Sequence, residues 1–153
     1  MRTFKLLQIF ILTLLNLLIS NQLSYGCSMF KITMHGKTIV GNNEDFWNQN
    51  SRIWFEQGDK QHFGVAYVGF DNMWPQGAMN ESGLVFDGFA MPYLAINDTI
   101  GKKEVDEENF LKYIMRTCST VDEVKEIFIQ WDLRGIETSM FYFVDKTGNQ
   151  LIV

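Results

Sequence analysis

The order of local patterns along the chain predicts an α+β domain built from antiparallel strands and a helix pair. Three observations carry this. Residues 28–43 and 139–153 alternate apolar and polar side chains around short turns, the period of half-buried strands. Residues 106–131 instead place apolar side chains three and four apart, the period of amphipathic helices. The helices fall together between two runs of strands and do not alternate with them, which argues against parallel βαβ units.

The first 26 residues form a separate region. Arg2 and Lys5 precede Leu6–Ser20, which is apolar except for Gln8, Thr13, Asn16 and Ser20 itself. Ser24 and Gly26 then put small residues three and one before Cys27. This is the layout of a secretory signal peptide, so residues 1–26 are expected to be removed and 27–153 to fold. The apolar run is about 15 residues, short of the roughly 20 needed to span a bilayer as a helix. The expected location is secreted or periplasmic.

In the remainder, Ser28–Met34 alternates, with Phe30, Ile32 and Met34 on one face and Met29, Lys31 and Thr33 on the other. His35-Gly36 supplies a two-residue turn, and Lys37–Asn43 returns as its partner strand. Arg52–Phe55, Phe63–Val68 and Leu84–Phe89 read as further strands, separated by Gly58-Asp59, Asp71-Asn72 and Glu81-Ser82-Gly83. Asp106–Cys118 is predicted helical, and the acidic run Glu104, Asp106, Glu107, Glu108 suits a first turn. Thr120 with Glu123 makes a capping box for a second helix bearing Val121, Val124, Ile127, Phe128 and Trp131 on one stripe. Ser139–Val144 and Gln150–Val153 read as a hairpin around Lys146-Thr147-Gly148-Asn149. The chain stops inside that last strand, and we expect it to be a fragment of a longer protein.

Composition narrows the function. The net charge of −5 becomes about −7 once Arg2 and Lys5 leave, and no basic block exists, so nucleic acid is not an expected partner. No Cys/His/Asp spacing suits a metal, and no cofactor is expected. The two cysteines, Cys27 and Cys118, allow one disulfide. Cys118, at the end of an apolar helical stripe, is better read as a buried thiol. A lipidated Cys27 is a further alternative, although Ser24 and Tyr25 depart from the usual lipoprotein pattern.

Cleavage after Gly26 would leave Cys27 with a thiol and a free α-amine, a nucleophile carrying its own base. Register arithmetic adds a second indication. With His35-Gly36 as the turn, Met34 pairs Lys37, Ile32 pairs Ile39, Met29 pairs Asn42, and Cys27 falls opposite Glu44. Directly opposed residues share a face, so the hairpin delivers Cys27 to the cluster Asn42-Asn43-Glu44-Asp45. The other reading of that cluster is a polar strand end. Aromatic residues such as Trp47 and Trp74 sit in polar, turn-like surroundings and are candidates to line a pocket for an apolar acyl group.

Three motifs in order carry a resemblance: Gly26-Cys27-Ser28-Met29-Phe30, Gly41-Asn42-Asn43-Glu44-Asp45 and Met79-Asn80-Glu81-Ser82-Gly83-Leu84. The chain resembles the choloylglycine hydrolase and penicillin V acylase family and relatives of isopenicillin N acyltransferase. The resemblance implies an N-terminal-nucleophile hydrolase fold, an αββα sandwich, here incomplete, and hydrolysis of a linear non-peptide amide. It implies Cys27 as nucleophile, Asp45 as the residue binding the cysteine's amino group, Asn43 as its neighbour, and the Ala90 N–H as an oxyanion donor. The expected partner is a small-molecule amide with an apolar acyl group; an acyltransferase could use the same site. Two positions depart from the family pattern. Asn42 stands where the family has arginine, and Ala90 where asparagine is frequent. Family members are also longer, so a second oxyanion asparagine and a late arginine are expected beyond Val153. The oligomeric state is left open.

Overall fold

The computed structural model describes residues 26–97, 99–104 and 107–153, so the signal-peptide assignment lies outside the described residues except at Gly26. The side chains of the acidic run at 104–108 lie outside them too. Strands β1 (Ser28–Met34) and β2 (Lys37–Asn43) form an isolated antiparallel hairpin. A six-stranded antiparallel sheet contains β3 (Arg52–Glu56), β4 (Val65–Gly69), β5 (Pro75–Asn80), β6 (Val85–Ala90), β9 (Ser139–Val144) and β10 (Gln150–Ile152). Its strand order is β10-β9-β6-β5-β4-β3. Helices α1 (Glu107–Thr117) and α2 (Val121–Gln130) lie between β6 and β9 in sequence. The short β7 (Lys103–Glu104) and β8 (Trp131–Asp132) pair in parallel beside them. Among the described residues no helix is long and apolar enough to cross a membrane.

The sheet has two different faces. Tyr67, Ala78, Phe86 and Phe143 are in register across four neighbouring strands, so they form one row on one face. That row packs against Phe110, Ile114 and Met115 of α1 and Val124 and Phe128 of α2, and this is the core. Phe128 meets Phe143 edge-on at 5.9 Å between ring centres. Thr120 caps α2 as its sequence foretells, with the reciprocal Glu123 bonds in place. Cys118 is a free thiol, 3% exposed in this core, and Cys27 is also free. The Cys27–Cys118 disulfide is therefore absent, because Cys118, just past the end of α1, is buried in the core on the helix side of the sheet, away from the hairpin.

The opposite row, Val68, Gly77, Asp87 and Tyr142, faces the β1–β2 hairpin. No ladder joins the hairpin to the sheet. Side chains do so instead. At one end Lys31 Nζ donates to the Gly148 carbonyl and Thr38 Oγ1 to the Lys146 carbonyl at 3.1 Å. At the other end Asn42 Nδ2 donates to Asp87 Oδ1 at 3.1 Å. The layers are thus helices, sheet and hairpin, three parts of the expected sandwich. The hairpin's outer face presents Phe30, Ile32, Met34 and Ile39, each more than half exposed.

Strand β5 was not foreseen from sequence. Pro75-Gln76-Gly77-Ala78-Met79-Asn80 lacks β-branched residues, yet it is a central strand. Pro75 is tolerated as its first residue, where no ladder donor is lost inside the strand. The Asn80 turn behaves as expected and also anchors α1. Its Nδ2 donates to the carbonyls of Met115 and Cys118, both at 2.8 Å, while Oδ1 accepts from Ser82 and Leu84. At 3% exposure Asn80 is an interior residue.

Candidate active site

The hairpin sets the site's geometry. His35 and Gly36 have φ of +51° and +73°, the left-handed pair that a two-residue turn of matching twist requires. The resulting register is Met34–Lys37, Ile32–Ile39, Met29–Asn42 and Ser28–Asn43, as the turn arithmetic predicts. One step further, the Cys27 Sγ–H donates to Glu44 Oε2 at 3.3 Å. Asp45, just past β2, accepts at 3.1 Å from the Gly26 N–H, so its carboxylate faces the Gly26–Cys27 junction.

Alternation separates the other members. Asn42 lies on the inner face and donates through Nδ2 to both Glu44 Oε1, at 3.2 Å, and Asp87 Oδ1. Asn43, paired with Ser28, takes the opposite face and does not line the cavity beside Cys27. That cavity, of about 980 Å³, is lined by Cys27, Asp45, Phe46, Trp47, Phe89 and Ala90 among others. Trp47 is therefore placed as the sequence suggested, whereas Trp74 is not part of the lining. A second cavity of about 760 Å³ lies between hairpin and sheet, with Met29, Val40, Val68 and Asp87 in its wall.

Burial pushes the Cys27 thiol above its ordinary value; the Asp45 backbone N–H opposes this, and the Glu44 hydrogen bond and the Glu44 and Asp87 charges reinforce it. Asp87, only 1% exposed, is pushed up to about 7 by burial first, then by the charge and hydrogen bond of Glu44. Its Oδ2 has no partner among the described residues. Asp87 is the site member that sequence reasoning missed. The available signal was one carboxylate inside an otherwise apolar strand, Leu84-Val85-Phe86-Asp87-Gly88.

No protein-family model and no curated protein matches the chain. Among solved structures, it is similar to two variants of conjugated bile acid hydrolase from Clostridium perfringens. One match has 23% identity and a TM-score of 0.67, the other 24% and 0.66. Each covers 84% of this chain and 47% of the hydrolase chain, so the chain spans about half the length of the structures it matches. In line with the resemblance carried by the three motifs, the chain has the α+β N-terminal-nucleophile hydrolase fold of conjugated bile acid hydrolase, over part of that fold.

Proposed function

We propose that this chain belongs to an exported amidase of linear non-peptide amides that uses Cys27, freed by cleavage after Gly26, as its nucleophile. The observation that carries the proposal is the meeting of the Gly26–Cys27 junction, the Asp45 carboxylate and an aromatic-lined cavity at one end of the hairpin. The fold of the structural neighbours supports the reaction class.

In this reading the α-amine of Cys27 takes the thiol proton, and the thiolate attacks the amide carbonyl to form a tetrahedral oxyanion. The Ala90 N–H is one donor to that oxyanion. Collapse breaks the C–N bond, the leaving nitrogen takes the proton from the ammonium, and a thioester remains. Water then attacks the thioester and returns the thiol. Asp45 orients the amine, and Asn43 stands two residues before it in the chain. Phe46, Trp47 and Phe89 offer apolar surface to the acyl group. An amine replacing water would make the same site an acyltransferase, with Cys27 unchanged in role.

The test is N-terminal sequencing of the exported protein with an amine-release assay on N-acyl amides. The expected product begins at Cys27 and loses activity as Cys27→Ser. An unchanged turnover in Cys27→Ser, or a lipid-capped Cys27 amine, would refute the proposal.

A further inference from the structure

The site contains a feature that the proposed reaction does not require. Glu44 and Asp87 come from different layers, the end of β2 and the middle of β6, and a single side-chain amide spans them. Asn42 Nδ2 donates to Glu44 Oε1 at 3.2 Å and to Asp87 Oδ1 at 3.1 Å. The outer oxygen of Glu44 holds the Cys27 Sγ at 3.3 Å, and the inner oxygen of Asp87 is buried without a partner. A carboxylate that is 1% exposed with one orphaned oxygen is costly unless it keeps a proton.

Among the described residues, neither carboxyl is paired with a counter-charge. In the register, Asp87 is flanked by Gly77 of β5 and Tyr142 of β9, and the Tyr142 hydroxyl is engaged with Gln150 Oε1 at 2.6 Å. A Cβ on Gly77 would lie 3.2 Å from Asp87 Oδ1, so the sheet closes tightly around the carboxyl. Across the gap the hairpin presents Met29, Lys31, Asn42 and Glu44, with Asp45 beyond, and the Lys31 ammonium is engaged with the Gly148 carbonyl. Lys37 and Lys146 line the same cavity. Among the described residues, no lysine or arginine forms an ion pair with Glu44 or Asp87. The departure from the family pattern at Asn42 fits this arrangement: an amide at that position can bridge two carboxyl groups.

We propose that Glu44 and Asp87, bridged by Asn42, form a one-proton carboxylate pair that positions the Cys27 sulfur and controls its ionisation. Glu44 touches the reacting atom, whereas Asp87 is a positioning residue acting through Glu44 and Asn42. While the pair keeps its proton it carries one negative charge. When the proton leaves it carries two, and a thiolate beside it is disfavoured. The sulfur is therefore most easily ionised on the acid side of the pair's own titration. This deepens the proposed function and rests on it for its catalytic meaning, but the pair can be read without any substrate.

The experiment measures alkylation of Cys27 by iodoacetamide from pH 5 to 10 on the full chain, read by peptide mass spectrometry. Burial pushes Cys118 up to about 11, so the second thiol does not intrude near neutrality. The log rate is expected to rise with pH, flatten through roughly pH 7–8 as the pair loses its proton, and then rise again. Asp87→Asn removes the flattening. It also raises the rate near pH 8 by about three- to tenfold, the gain from a half- to one-unit fall in the thiol's pKa. Glu44→Gln does the same while keeping an acceptor for the S–H group. Circular dichroism checks that each variant folds. If Asp87→Asn does not, the part-exposed Glu44→Gln and the wild-type curve decide the matter together. A single-slope wild-type curve, with the folded variants within about twofold of it, overturns the pair. Such a curve alongside Cys27-dependent amide hydrolysis would leave the proposed function standing. A biphasic wild-type curve that Asp87→Asn straightens, without hydrolysis of any amide by the full-length protein, would leave the pair standing and remove that function.

Discussion

Replacing Asn80 by alanine should destabilise the protein more than any substitution at an exposed position. The side chain is 3% exposed and serves two elements at once. Its Nδ2 satisfies the carbonyls of Met115 and Cys118 at the end of α1, where helical carbonyls lack intrahelical partners. Its Oδ1 accepts from the Ser82 and Leu84 N–H groups and the Ser82 hydroxyl, which shapes the β5–β6 turn. Each bond contributes about 1 kcal/mol net, and each buried group left unpaired costs about 1–3 kcal/mol. With some of the turn rehydrated, the expected loss is about 3–5 kcal/mol, a large share of a typical domain's stability. Asn80→Asp should lose at least as much at neutral pH, because an ionised oxygen would face two carbonyl oxygens. The assay is urea unfolding followed by tryptophan fluorescence, with an unchanged slope confirming comparable unfolded states. A loss below about 1 kcal/mol for both variants would show that the turn and α1 do not depend on this amide.

Other predictions follow from the site and from the far end of the hairpin. Burial raises Asp87 above its unfolded value, so its stabilising contribution is complete below the unfolded pKa and is lost as pH rises through about 7. The unfolding free energy from urea titrations should therefore fall from pH 5 to pH 8.5 by at most about 3 kcal/mol, the two units between pH 5 and the folded pKa at about 1.4 kcal/mol each, and Asp87→Asn should flatten that fall; a wild-type profile indistinguishable from the variant's would contradict it. Gly148 has φ of +88°, and a Cβ there would land on the Thr33 side chain. Gly148→Ala should cost about 1–3 kcal/mol, part of it recovered by adding Thr33→Ala, as read by thermal unfolding.

The hairpin was fully legible from sequence because its register depends on one local decision. Once His35-Gly36 is the turn, every pair up to Met29–Asn42 follows by counting, and Cys27 must fall opposite Glu44. The capping box at Thr120 and Glu123 is local in the same way. Strand β5 was not legible because its credentials are tertiary. Gly77 and Ala78 have low strand preference, but they are small where the sheet is tight: a Cβ on Gly77 would meet Phe86 O at 3.1 Å. Asp87 was missed for a related reason. Its role depends on β6 lying beneath the hairpin, a fact of strand order with no trace in the spacing between residues 42 and 87. Asn43 shows the opposite limit: motif position alone names it, while alternation turns its side chain away from the cavity.

The hairpin clasps the sheet at two places and floats between them. Counted along β1, about 13 Å of backbone separates Thr33, opposite Thr38 at one clasp, from Met29, opposite Asn42 at the other, so a tilt at one clasp is carried to the other as by a lever. The Lys146–Gly148 turn, which touches no reacting atom, is thus one of the two anchors of the hairpin that carries Cys27, through its carbonyls' hold on Lys31 and Thr38. Changes in that remote loop should move reactivity at Cys27 without altering a single group around it.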